Sequence, residues 1–100
     1  MKIRKLLYEK SVAYQLKEWK DSGLGQHVEK IRSNAILMKV HGKELSSLQR
    51  IDDRVPLYVL ELLGLELDGL DPNEGYLIFA RIDQNTVKIL KISPYTRFFP

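Results

Sequence analysis

The 100-residue sequence contains no cysteine, and it also lacks the short motifs by which most catalytic sites are recognised. The absence of cysteine excludes disulfides, thiolate zinc sites, iron–sulfur clusters and a cysteine nucleophile. There is no glycine-rich phosphate loop, no HExxH pair and no GxSxG turn. The two histidines, His27 and His41, are fourteen positions apart with no third ligand nearby, so we expect no metal site and no cofactor.

No segment has the features of a signal peptide or of a membrane span. The first residues, MKIRKLLYEKS, are basic, but their apolar run is only Leu6 to Tyr8 and is followed by Glu9 and Lys10. With 44% apolar and 29% charged residues, the composition is typical of one globular domain over residues 1–100. Together with the absence of cysteine, these features predict a cytoplasmic protein without membrane association.

Charge is distributed unevenly along the chain. Residues 1–50 carry eleven lysines and arginines against five acids, and residues 75–100 carry four against one. The intervening residues 51–74 hold seven acids and a single basic residue, Arg54. A polyanion would be attracted to both ends of the chain and repelled by its middle, although a mixed solvated surface would account for the same composition.

A change in hydrophobic period near Ser11 predicts a short strand followed by two helices. Residues 3–8 alternate as in a strand, and Val12, Leu16 and Trp19 then follow helical spacing. A second apolar stripe at helical spacing consists of Leu24, Val28, Ile31, Ala35 and Met38. The residues expected outside this stripe are His27, Lys30 and Arg32. The second helix could end at Asn34 or continue to Gly42.

The second half of the sequence reads as extended structure. Residues 55–67 are rich in strand-forming types, and residues 68–75 are dense in turn formers. Residues 76–83 and 86–92 flank Gln84 and Asn85 and predict a hairpin. The expected fold is therefore α+β, with two N-terminal helices packed on a four-stranded, mainly antiparallel sheet, in the order strand, helix, helix, strand, strand, strand. Residues 33–54 are poorly accounted for by this order.

The register of the hairpin can be predicted from its two-residue loop. Asp83 would face Thr86, and the same register continues to Phe79 opposite Leu90. One face would be apolar and would pack against the helices, with Ile78, Ala80, Ile82, Val87 and Ile89. The other face would set Arg81 across from Lys88. Two like charges in this position need a negative group nearby, which could be Asp83, an acid from residues 61–68, or a bound phosphate.

The C-terminal segment combines cations with aromatic side chains. Its members are Arg81, Lys88, Lys91, Tyr95, Arg97, Phe98 and Phe99. Cations beside phosphates and aromatic rings beside bases are the two components of single-stranded nucleic-acid binding. The same residue types are common in cores and interfaces, where Phe98 and Phe99 would cover an edge.

The order of strand, two helices and antiparallel meander is similar to that of the RelE/ParE superfamily of toxin–antitoxin proteins. The segment MKIRKLLYEKSVAYQLKEW resembles the opening strand and first helix of that family, and YLIFARIDQNTVKILKISPYTRFFP resembles its closing hairpin and tail. VPLYVLELLG would take the place of the strand between them. The similarity covers most of the chain and rests on pattern.

The resemblance implies a toxin-like endoribonuclease that cleaves mRNA, usually on the ribosome, by attack of a ribose 2′-hydroxyl on the adjacent phosphate. Such a site must hold the reacting groups in line and neutralise the charge of the transition state. The catalytic residues by this resemblance are Tyr95, for stacking or proton transfer, Arg97, as a phosphate clamp, and Arg81. The expected nucleic-acid-binding residues are Lys88, Lys91 and Lys43, with His41 a looser candidate.

The sequence departs from the family pattern at two strands. Leu77 stands where the family often has an arginine, and the strand before it carries Glu61 and Glu66, which would repel RNA. These departures support an alternative on the same fold, a non-catalytic module that binds a protein such as an antitoxin-like protein, gyrase or another host factor. The cationic hairpin and tail favour either the nuclease or a nucleic-acid-binding domain without catalysis.

Overall fold

A computed structural model of the chain describes residues 4–42, 45, 48–52, 54–63 and 74–96. These residues form two helices and five strands. In chain order they are β1 (Lys5–Tyr8), α1 (Lys10–Asp21), α2 (Gly25–His41), β2 (Leu48–Asp52), β3 (Leu57–Leu63), β4 (Glu74–Ile82) and β5 (Thr86–Thr96). Neither helix in this part of the chain is long and apolar enough to cross a membrane.

The α+β fold with two helices on one sheet is confirmed, but the predicted sheet is wrong in its details. The sheet has five strands in the order β1-β5-β4-β3-β2, and it is mixed. β1 pairs in parallel with β5, whereas the other three pairings are antiparallel. The two helices carry the chain from β1 at one edge of the sheet to β2 at the opposite edge, and the antiparallel strands β3 and β4 then lead back to β5, which lies parallel to β1.

The additional strand, β2, lies in the segment that the hydrophobic pattern left unassigned. It is an edge strand of five residues, and its three central residues are all exposed. An edge strand with no buried stripe gives no period-two signal in the sequence. Arg50 stabilises the turn that follows, because its guanidinium donates hydrogen bonds to the carbonyl oxygens of Asp52 at 2.9 Å and Val55 at 3.4 Å.

The second helix continues past Asn34 to His41 and ends at a glycine. Gly42 adopts a φ of +59°, which L side chains rarely adopt, and it is buried. A Cβ at this position would approach the guanidinium of Arg4 to 2.9 Å. The same guanidinium donates a hydrogen bond of 3.2 Å to the carbonyl oxygen of Asp83, so Arg4 joins the end of α2 to the β4–β5 turn.

The helical stripes predicted from spacing supply one side of the core. The buried members are Val12, Leu16, Val28, Ile31, Ala35 and Met38. His27 is a correction, since it is buried and does not lie outside the stripe. It occupies the first turn of α2, where the helix faces β4.

The hairpin register is confirmed from the turn as far as Ala80 opposite Ile89, and all five residues predicted for the apolar face are buried. Beyond that point the prediction is wrong, because a bulge at Leu90 pairs Phe79 with Lys91. A regular strand would place Lys91 on the same face as Val87 and Ile89. The extra residue shifts the alternation so that Ile92 enters the core and Lys91 stays exposed.

In the described part of the chain, β1 pairs only with the first four residues of β5, so the rest of that edge has no neighbouring strand. Two side chains protect it. Gln15 of α1 donates a hydrogen bond of 3.2 Å to the carbonyl oxygen of Ile92, which must therefore point away from β4. Pro94, two residues later, directs its nitrogen to the same side, where it removes a donor from the exposed edge.

We predict opposite outcomes for substitutions on the two faces of the hairpin. Ile82→Asp buries a carboxylate at a position that is 1% exposed, so the domain should lose more than about 4 kcal/mol of stability or fail to fold. Lys88→Glu replaces an exposed ion pair with Glu9 by two like charges that solvent screens, and it should cost no more than about 1–2 kcal/mol. Urea denaturation followed by circular dichroism measures both changes, and equal losses would show that the register is wrong by one residue.

Candidate functional site

The two faces of the sheet differ sharply along β4. Tyr76, Ile78, Ala80 and Ile82 are buried beneath the helices. The alternate residues Leu77, Phe79 and Arg81 are half-buried or exposed, because they point to the other side. We call that other side the open face. By strand register it also carries Leu7 of β1, Leu57, Val59 and Glu61 of β3, and Lys88, Lys91, Ser93 and Tyr95 of β5.

The predicted pair of cations lies on the open face, and each cation has an acidic partner within the chain. Arg81 and Lys88 are directly opposite each other. Arg81 Nε lies 3.1 Å from Asp83 Oδ2, which is one of the negative groups that the sequence indicated. Lys88 Nζ lies 2.9 Å from Glu9 Oε2, a partner that linear sequence does not reveal. The four charges balance, so this part of the face offers a phosphate no net positive charge.

Tyr95, which was predicted to be catalytic together with Arg81 and Arg97, is on the same face but at its far end. Tyr95 pairs with Gly75, six residues along β4 from Arg81. At about 3.3 Å per residue this separation is about 20 Å. The Tyr95 ring lies against Gly75, where a Cβ would come within 3.0 Å of it, and the hydroxyl oxygen is buried. A 2′-hydroxyl could reach this phenol only if the ring moved.

The remaining predicted residues are not all brought to this face. Lys91 is exposed opposite Phe79, between Lys88 and Tyr95 along β5. His41 is the last residue of α2 and therefore belongs to the helical layer, on the other side of the sheet. The predictions for Lys43, Arg97, Phe98 and Phe99 fall outside the residues that the structure describes.

A hollow on the open face was not predicted. It has a volume of about 190 Å³ and is lined by Gln49, Val59, Glu61, Leu77 and Phe79. Three strands build it, since the register sets Gln49 beside Val59 and Val59 beside Phe79, with Glu61 opposite Leu77. Two of the residues that depart from the family pattern, Glu61 and Leu77, thus face each other across β3 and β4.

Only some of the residues that line this hollow could be recognised in the linear sequence. The acid on β3 and the apolar residue on β4 stand out as departures, but only the strand register shows that they are neighbours. Gln49 could not be found at all, because β2 has no recognisable pattern. In the described part of the chain no cation lies within ion-pair distance of Glu61, which is exposed.

Beneath the sheet, three side chains join both helices to β4. Tyr76 packs against Trp19 of α1 with ring centroids 5.3 Å apart, and its hydroxyl shares a buried hydrogen bond of 3.1 Å with His27 Nδ1. Burial raises the pKa of Tyr76 above its usual value of 10.0, and Glu74 raises it further. The cluster is part of the core, and it positions the strand that carries Leu77 on its opposite side.

The open face offers no grouping suited to metal chemistry. Among the described residues no three histidine or acidic side chains converge on a common point. A metal ion would need more oxygen or nitrogen ligands than Glu61 and Gln49 provide. The hollow itself is lined by three apolar side chains, one amide and one carboxylate.

Comparison with known proteins gives no match: no family model, no curated protein and no solved structure is similar to this chain. The resemblance to the RelE/ParE superfamily therefore stays a prediction, and function must be inferred from the site.

We predict that Gly75→Ala destabilises the domain by about 2–3 kcal/mol, because the new methyl group would clash with the carbonyl oxygen of Leu62 and press on the Tyr95 ring. Gly25→Ala is the matched control, since its new methyl group would meet no atom within 4 Å and α2 gains helix propensity. Urea midpoints should fall for the first variant and stay the same or rise slightly for the second. An unchanged Gly75→Ala midpoint would contradict the close packing of Tyr95.

We predict that alkaline destabilisation depends on Tyr76. Because the folded state keeps the phenol proton more tightly than the unfolded chain, stability is intact below about pH 10 and decreases as the pH rises above it. Tyr76→Phe should lower stability at neutral pH by about 1–2 kcal/mol, through loss of the His27 hydrogen bond, and should flatten the decrease above about pH 10.

The readout is the free energy of unfolding in urea at neutral pH and at about pH 11. Part of the alkaline decrease should persist in Tyr76→Phe, since burial also raises the pKa of Tyr8, against a smaller opposing effect of Arg32. Tyr14→Phe, at a side chain that is 65% exposed, is the control and should behave as the wild type does. A Tyr76→Phe profile parallel to that of the wild type would contradict the assignment.

Proposed function

We propose that the chain is a non-catalytic protein-binding module and that the open face of its sheet receives the partner. The observation that carries this proposal is the row of apolar side chains that the face presents to solvent. Its members on the adjacent strands β3 and β4 are Leu57, Val59, Leu77 and Phe79, all half-buried. A contiguous apolar surface rimmed by polar residues is characteristic of a protein interaction site.

The charges of the open face agree better with a protein partner than with RNA. A nucleic-acid surface needs cations that are free to meet phosphates, and its affinity depends on how many it neutralises. Here Arg81 and Lys88 are matched by Asp83 and Glu9. Glu61 adds a negative charge within the apolar row. Paired charges at the rim and apolar side chains at the centre resemble the arrangement of protein interfaces.

The face suits this role better than the uncovered edge of β5 does. A peptide strand added to β5 would meet the side chain of Gln15, which occupies the carbonyl of Ile92, and would find no donor at Pro94. A second apolar surface lies on the outer side of α2, where Ile36 is 51% and Val40 is 66% exposed. The open face and the outer side of α2 both favour protein binding. Substitutions on these two surfaces can therefore be compared with each other.

The toxin-like endoribonuclease is the second candidate. It is favoured by one observation, namely that Arg81, Lys88, Lys91 and Tyr95 lie on the same face. The two ion pairs are exposed, so a phosphate could exchange for their carboxylates at a cost of about 1 kcal/mol each or less. Its substrate would be mRNA or the ribosome, whereas the first candidate would bind an antitoxin-like or other host protein. Either activity would be exerted in the cytoplasm.

The proposal is tested by placing a photoreactive amino acid at position 77 and cross-linking in cells of the source organism. The captured protein is identified by mass spectrometry, purified and titrated against the wild type. We expect Phe79→Lys to weaken its binding at least tenfold, since a charge would replace an aromatic contact at the centre of the face. Ile36→Lys, on the outer side of α2, should leave the affinity unchanged. Circular-dichroism melts confirm that both variants fold.

The two candidates are separated with the same proteins and a fluorescently labelled single-stranded RNA. The wild type should leave the RNA intact, alone and on translating ribosomes. Cleavage that is lost in Arg81→Ala and Tyr95→Phe would overturn the protein-binding proposal in favour of the nuclease. A partner whose affinity falls with Ile36→Lys and not with Phe79→Lys would move the binding surface to α2 and overturn the assignment to the open face.

A further inference from the structure

We infer that the hollow on the open face is a subsite for an arginine side chain of the partner, an inference that rests on the proposed protein-binding function. The hollow is lined by two aliphatic side chains, Val59 and Leu77, by the aromatic ring of Phe79, and by two polar side chains, Glu61 and Gln49. Arginine matches these three kinds of surface in one side chain, with an alkyl stem, a flat cation and several donors.

The size of the hollow corresponds to a single side chain. Its volume of about 190 Å³ is smaller than the roughly 300–1,000 Å³ of sites that enclose cofactors or drug-sized ligands. A protruding side chain of a docked protein can enter such a hollow, whereas a small molecule would leave most of its own surface in water.

The positive charge of the side chain that would bind in the hollow is inferred from the carboxylate of Glu61. Three other described carboxylates on or beside this face have a cation in contact: Glu9 with Lys88 at 2.9 Å, Asp83 with Arg81 at 3.1 Å, and Asp52 with Arg54 at 3.7 Å. Glu61 has no such partner among the described residues and faces Leu77 across the strands. A carboxylate beside apolar side chains becomes costly when a partner covers it, unless the partner brings a positive charge.

The geometry of the lining favours arginine over lysine. A guanidinium can donate two parallel hydrogen bonds to the Glu61 carboxylate and a further one to the amide oxygen of Gln49, because its five donors form a fixed fork. Its plane can also lie on the ring of Phe79, which forms one wall of the hollow. An ammonium would make the ion pair but would remain strongly hydrated and would leave the ring less well covered.

The test uses two peptide probes of nearly the same shape, acetyl-Leu-Arg-Leu-amide and the same peptide with citrulline, whose neutral urea group has an oxygen in place of one guanidinium nitrogen. Binding is followed by nuclear magnetic resonance, through the methyl signals of Leu77 and Val59. The arginine peptide should shift these methyl signals and should bind the wild type at least fivefold more tightly than the citrulline peptide does. In Glu61→Gln the two peptides should bind equally. Glu29→Gln, an exposed acid on α2, should keep the wild-type preference.

The outcomes separate the subsite from the function on which it rests. Equal binding of both peptides to the wild type, or a preference that survives in Glu61→Gln, would overturn the arginine subsite. The protein-binding function would still stand if the cross-linked partner lost affinity in Phe79→Lys. Sedimentation velocity at the concentration of the titration checks a further possibility, since a dimer that closes the hollow with the chain's own cations would also overturn the inference.

Discussion

The structure depends on the pairing of β4 with β5. β4 is paired along its whole length, to β3 on one side and to β5 on the other, and its alternate residues form the centre of the core beneath both helices. The bulge at Leu90 preserves this arrangement where the sequence alternation of β5 changes phase. Without it, a lysine would enter the core and Ile92 would be exposed, so one inserted residue decides the composition of both faces.

Most of the fold could be predicted from the sequence, because burial imposes a period. The stripes of α1 and α2 and the inner face of the hairpin follow spacings that only a packed helix or strand would need. The predictions of the fold were wrong where burial imposes only a weak or local period on the sequence. β2 lies at the edge of the sheet with its central residues exposed, so burial gives it no period. The bulge depends on whether burying Lys91 or Ile92 costs more free energy, and the periodicity of a single strand does not show this. His27 was misplaced because a buried histidine needs a partner, and Tyr76 is 49 residues away.

The candidate site was less predictable than the fold, for a physical reason. The hollow is assembled from one residue of β2 and two residues each of β3 and β4, and no two of its members are adjacent in sequence. The charge pattern of the hairpin was likewise incomplete in the linear sequence. The run of cations in the hairpin suggests a polyanion surface, but Glu9 precedes Lys88 by 79 residues and neutralises it in the folded chain. Linear charge omits the acids that the topology brings beside these cations, Glu9 next to Lys88 and Asp83 next to Arg81.

The free energies of burial and association explain why a charged subsite should accompany the row of apolar side chains. Burying the remaining surface of four half-buried apolar side chains contributes about 2–4 kcal/mol. Association costs about 4–15 kcal/mol in lost translational and rotational freedom, so this apolar surface alone cannot hold a partner. The additional free energy must come from contacts that are specific in geometry. On the open face, Glu61 can make such contacts, because it is a carboxylate beside apolar side chains. A partner that left this carboxylate unpaired would bind more weakly. If the proposed protein-binding function holds, the residue that weakens the nuclease interpretation is also the one that would give the binding surface its specificity.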